Sequence, residues 1–129
     1  MHKIFLITAA LLGAFSVATG AFAAHSLKQV LAADALQVFE TAVRYQFYHV
    51  FALIATGILY QHFPGKMLLW AGRMFLTGIL LFSGSLYMLC YIKHAGLTQF
   101  LWAGAVTPLG GVCFMAGWIL LAAGIAKKN

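Results

Sequence analysis

The sequence predicts an all-α integral membrane protein, a single four-helix bundle with a short amphipathic outer segment between helices 1 and 2. Three observations predict it. Hydrophobic residues make up 64% of the chain and mean hydropathy is +0.95. Only 8% of residues are charged, against about 25% in a soluble domain. The apolar residues also fall into four long runs, each near the ~20 residues that cross a ~30 Å hydrocarbon layer at ~1.5 Å per helical residue. Each run is expected to be helical, because an open strand would leave backbone groups unpaired in lipid. Short links make neighbouring helices antiparallel, and residues 1–129 read as one membrane domain.

The first span, 4–24, carries no charge. Met1-His2-Lys3 ahead of it, with Ala21-Phe22-Ala23 at its end, also has the form of a secretory signal and its cleavage site. Small residues recur, however, at Ala9, Gly13, Ser16, Gly20 and Ala24, a helical stripe that lets a second helix approach closely. A cleaved signal needs no such stripe, so a retained helix is expected.

Segment 26–44 follows. Leu27, Val30, Leu31, Leu36 and Phe39 alternate with Lys28, Gln29, Asp34, Gln37 and Glu40 at spacings of an amphipathic helix lying on the outer leaflet. Asp34 is placed to cap the helix that follows, which runs on into the second span, 45–62. Pro64-Gly65-Lys66 then makes a tight turn. The third span, 72–92, is uncharged but for Arg73 at its start, and His94 to Gln99 is a short polar link. The fourth span, 100–126, is interrupted by Thr107-Pro108-Leu109-Gly110-Gly111. Pro108 lacks a backbone donor and clashes one turn earlier, so a kink is expected near Gly104.

Lys and Arg counts orient the chain. With both termini cytoplasmic, the inner face holds Lys3, Lys66, Arg73, Lys127 and Lys128, and the outer face Lys28, Arg44 and Lys93. The net charge of +6 therefore reads as topology and contact with anionic lipid. No basic stripe with interleaved aromatics suggests nucleic acid.

Polar residues gather in the outer half. Glu40 and Arg44 share a helical face, as do Tyr45 and His49. Counting ~1.5 Å per residue, Ser85 and Thr107 lie about 12 Å inward from Lys93 and Gln99, and His49 about 8 Å inward from Arg44. The candidate polar site is thus His25, Glu40, Arg44, Tyr45, His49, Ser83, Ser85, Tyr87 and Thr107. Two readings are open: an ion pair, an aromatic belt and interhelical hydrogen bonds, or a polar site facing the bundle interior.

Chemistry has little support. His25 and His49 are isolated, Cys90 and Cys113 lack metal-ligand spacing, and Ser83 and Ser85 have no activating base nearby in sequence. No phosphate-cradling or dinucleotide glycine motif is present. The expectation is no enzyme, no metal and no cofactor.

Four stretches carry a resemblance: Gly20-Ala21-Phe22-Ala23-Ala24-His25-Ser26-Leu27, Phe39-Glu40-Thr41-Ala42-Val43-Arg44-Tyr45-Gln46-Phe47-Tyr48-His49, Leu81-Phe82-Ser83-Gly84-Ser85-Leu86-Tyr87, and Thr107-Pro108-Leu109-Gly110-Gly111 with Gly117-Trp118. By these the chain resembles the DUF423 family, also called UPF0382, whose first stretch usually has glycine where Ala23 stands. The resemblance implies a small bacterial inner-membrane protein of about four spans with the first retained, and brings no established activity.

Two functions are weighed. One is a non-enzymatic structural or interaction component that packs with copies of itself or a membrane-protein partner and contacts lipids. The other is a small-molecule or proton-coupled carrier, in which Glu40 and His49 exchange protons while Arg44 holds an anion. The first is favoured, because no internal repeat of the kind that builds transporter pathways is visible.

Overall fold

The computed structural model describes residues 1–127 and is all-helical. Lys128, counted above among the inner charges, lies outside the described residues. Four long helices account for most of the chain: α1 (Lys3–Val30), α2 (Ala33–Leu59), α3 (Lys66–Ala95) and α4 (Thr98–Ala126).

Three of them, α1, α3 and α4, are long and apolar enough to cross a membrane. Helix α2 falls short of that standard because Arg44, Gln46 and His49 dilute its apolar residues. Packing explains how it carries them. Helices α2 and α3 form the centre, with α1 against α2 and α4 against α3. The outer helices turn Ile4, Ile7, Leu11, Met115 and Ile119 outward, while Gln46, His49 and Thr56 of α2 are buried. Polar groups sit inside and hydrocarbon outside, the arrangement lipid demands.

Local windings depart from the simple runs. Helix α1 passes through a wide π-turn at Ala23–Leu27 and stops at Leu31, which is extended at φ −88° and ψ 146°. Segment 26–44 is therefore not a separate helix. Its first part prolongs α1, and from Ala33 onward it belongs to α2. Asp34 does not cap α2: the N-cap is Ala32, which makes no side-chain bond, and Asp34 stands in the first turn, where its charge complements the helix dipole.

Helix α3 widens similarly at Ile79–Ser83 and ends at Gly96. There φ is +70°, and Gly96 and Leu97 donate to Lys93 and Ile92 carbonyls at 3.3 and 3.0 Å. This left-handed glycine cap satisfies carbonyls that helix ending would orphan. In α4, where a kink is expected near Gly104, the structure shows a change of winding. Residues Thr98–Val106 are wound as a tighter 3-10 helix, and the α-helical part begins at Thr107. Pro108 then occupies the first α-turn, where its missing N–H has no intrahelical partner to lose.

Glycines set the close approaches. A Cβ on Gly78 would strike the Phe114 ring, and one on Gly117 the Phe75 ring, so α3 and α4 each offer a socket for the other's phenyl group. Gly72 does the same for Phe5 of α1, and Gly110 lies directly on the backbone of Phe82. Four of the five small residues of the α1 stripe lie in the helix contact, and Ala24, within the π-turn, is exposed. Ala9 and Ser16 are fully buried, Gly13 lies in ordinary contact with Val50 and Gly20 with Val43 of α2.

Candidate functional site

Helical periodicity brings Gln46, His49, Leu53 and Thr56 of α2 to its inner face. Gln46 is 1% exposed and holds three helices together. Its Nε2 donates to Ser16 Oγ on α1 at 2.8 Å, and its Oε1 accepts from the Tyr87 hydroxyl on α3 at 2.9 Å. Ser16 passes its own proton back to the Leu12 carbonyl at 2.7 Å, and Thr19 Oγ1 lies 3.5 Å from the Tyr87 hydroxyl. Each atom in this chain has a partner, so the amide crosses an apolar interior without an orphaned dipole.

His49 forms the second cluster, against Phe75 of α3 and Phe114 and Trp118 of α4. Its Nδ1 stands 2.7 Å from the Tyr45 carbonyl, which only accepts, so Nδ1 carries the proton. Nε2 is then a bare lone pair, and it accepts the Trp118 indole N–H at 3.2 Å. The imidazole stacks on Phe114 with ring centroids 3.4 Å apart and planes 5° from parallel. Both nitrogens of a neutral ring are thereby spoken for. A proton added at Nε2 would confront the indole donor.

Two hydroxyl contacts complete the set. Ser83 donates to the Ala42 carbonyl on α2 at 2.7 Å, and Ser85 donates to the Phe82 carbonyl at 2.9 Å. The Thr107 hydroxyl of α4 sits 2.6 Å from Ser85 Oγ. Among the described residues, no buried side-chain nitrogen or oxygen lacks a hydrogen-bond partner.

The nine residues expected from sequence do not converge on one place. His25, Glu40 and Arg44 are exposed and stand apart from these clusters. Tyr45 lies partly outside, its ring 4.7 Å from that of Phe82. His49, Ser83, Ser85, Tyr87 and Thr107 join four separate contacts between helices. Sequence reasoning passed over Ser16, Thr19, Gln46 and Trp118. Gln46 carried a signal, being a primary amide within a span, and Ser16 lay on the small-residue stripe.

A groove of ≈ 370 Å³ opens toward the surface between α2 and α4, with Tyr45, Phe82, Met115 and Trp118 around it and His49 at its base. Because His49 has no free donor or acceptor, the groove is chemically apolar. Among the described residues no three His, Cys, Asp or Glu side chains gather as metal ligands, and Cys90 and Cys113 are both free thiols.

Comparison with known proteins adds a sequence context. The model of a family described as "Protein of unknown function (DUF423)" matches residues 19–111. A UPF0382 membrane protein of Staphylococcus saprophyticus is 43% identical over 97% of this chain and 98% of its own length. The UPF0382 membrane protein YwdK of Bacillus subtilis is 38% identical, with 97% and 98% covered. The UPF0382 inner membrane protein YgdD of Escherichia coli is 37% identical, with 97% and 91% covered. No solved structure matches the chain.

Proposed function

The chain belongs to the DUF423 family of membrane proteins, and from that premise we propose that it is a non-enzymatic component of a bacterial inner membrane, a four-helix bundle that packs with copies of itself or a membrane-protein partner and contacts lipids. The observation that carries this reading is the closure of the interior polar groups. Gln46, His49, Ser83, Ser85 and Thr107 spend their hydrogen bonds on neighbouring helices. A site for an ion, proton or solute needs unspent donors or acceptors, whereas helix-to-helix bonds of this kind serve assembly in lipid.

In this reading α2 is the fourth span, its polar side chains shielded by its neighbours. Segment 26–44 lies at the outer surface, where Lys28, Asp34, Glu40 and Arg44 reach head groups and water. Both termini are cytoplasmic. In support, His2 bonds to Gly57 and Gly124 packs on Leu68, which puts both chain ends beside the Pro64 turn with Lys3, Lys66 and Lys127. An inner-membrane location follows the Escherichia coli relative, which is named an inner membrane protein. The chain works without cofactor or nucleic acid.

The test sets this against the proton-coupled carrier, in which Glu40 and His49 exchange protons and Arg44 binds an anion. Reconstituted vesicles with an internal pH dye should leak protons no faster than protein-free vesicles, and native mass spectra should contain a self-associated species carrying lipid only. Proton flux that vanishes in His49→Gln, or a reproducible non-lipid adduct that vanishes in Arg44→Ala, would overturn the assignment.

A further inference from the structure

Where the α1–α2 break meets the α3–α4 turn, two hollows adjoin. The first, ≈ 470 Å³, opens between break and turn, with Asp34, Lys93, His94 and Thr98 on its walls. The second, ≈ 190 Å³, runs along α1 and α3 past Phe22, Leu27, Tyr87 and Tyr91. Leu31 and His94 line both, so the two are one furrow, charged at the surface and apolar below. Cys90 closes its floor, bonding through its thiol to the Ala35 carbonyl at 3.5 Å and so tying α3 to α2.

We propose that this furrow holds one zwitterionic phospholipid whose head group ends in a primary amine. The charges select it. Asp34 stands in the first turn of α2 and Lys93 in the last turn of α3, so opposite walls carry opposite signs. The Asp34 carboxylate receives the ammonium N–H groups while Lys93 meets the phosphate, both as charge-assisted hydrogen bonds. A head group with only negative charge would set its surplus against Asp34. A choline head group has the right charges but no N–H to give the carboxylate. Below the head group, one acyl chain follows the apolar part of the furrow beside Phe22, Leu27 and Tyr91. The inference deepens the lipid contact of the proposed function and rests on its placement of the helices in the bilayer.

The experiment uses the full chain in lipid nanodiscs with equal amounts of phosphatidylethanolamine, phosphatidylcholine and phosphatidylglycerol. After release in mild detergent, native mass spectrometry identifies the retained lipid. The parent should keep phosphatidylethanolamine over phosphatidylcholine by roughly tenfold, the weight of a hydrogen bond to a charged group. Asp34→Asn should retain phospholipid but lose that preference, and Lys93→Gln should lose retained phospholipid of every head group. Lys66→Gln, at the opposite end, should behave as the parent. Equal retention of the three lipids by the parent, or an undiminished preference in Asp34→Asn, would overturn the proposal. Asp34 and Lys93 are exposed, and melting temperature checks that both variants fold. The same spectra report oligomeric state, so a monomer that still selects the amine lipid upholds this inference while removing the self-association reading.

Discussion

Trp118 donates its indole N–H to the one unprotonated nitrogen of His49, 3.2 Å away, so a half-exposed residue of α4 fixes the tautomer of a histidine that is 5% exposed in α2. The bond joins two helices whose backbones otherwise meet chiefly through α3. It also places a donor where a carrier histidine would need an open lone pair.

Removing that donor leaves Nε2 without a partner in an apolar setting. Trp118→Phe should therefore destabilise the protein by about 1 kcal/mol, in the range of hydrogen bonds between membrane helices. Thermal unfolding in a fixed detergent measures it, and an unchanged melting temperature would show that the bond contributes nothing.

Gln46 couples α1 to α3 through a single amide. In a double-mutant cycle, Gln46→Leu and Tyr87→Phe should be non-additive by about 0.5 to 1.5 kcal/mol, since each removes one end of the same bond. Strict additivity would mean that the 2.9 Å contact carries no interaction energy.

Adjacent glycines in α4 should respond differently to one methyl group. On Gly110 it would meet the Phe82 backbone, which cannot rotate away, while on Gly111 the nearest atom is Phe82 Cδ2 at 4.0 Å. Gly110→Ala should sharply lower the amount of folded protein in the membrane, and Gly111→Ala should match the parent. Quantitative blotting of membrane fractions decides it, and equal abundance of the two variants would contradict the packing.

Glu40 and Arg44 are exposed and stand outside the interior bonds. Glu40→Gln and Arg44→Gln should leave melting temperature and abundance near those of the parent, as expected for surface substitutions. A large loss in either would place that residue in a buried contact, and the measurement is a thermal scan beside the Gln46→Leu variant.

Four helical rods were legible because an uncharged run of about 20 residues has few other ways to satisfy its backbone in lipid. Ala9, Gly13, Ser16 and Gly20 of the small-residue stripe marked the α1 contact for the same local reason, since small residues one turn apart leave room only on one face, while Ala24, past the start of the π-turn, is exposed. The break at Leu31 and Ala32 was not legible, because neither residue is a helix breaker. Nor was the pairing of Gln46 with Ser16 and Tyr87. Those groups lie 30 and 41 residues apart in sequence, and only the axial register of three helices brings them to one depth. Glu40 and Arg44 drew notice as the rare charges near a span. Charge, though, is what a membrane protein places at its edge, and here the neutral amide and imidazole were taken inside instead.

The exchange of rings between α3 and α4, with Phe75 seated on Gly117 and Phe114 on Gly78, works as a two-toothed gear that has no second position. A slip of one turn would carry both phenyl groups off their glycines and into side chains, Cys113 or Leu121 on one helix and Met74 or Phe82 on the other. The α3–α4 hairpin is thus keyed in a single register, and the amide of Gln46 and the indole of Trp118 are two of the bonds that fasten the α1–α2 pair to it.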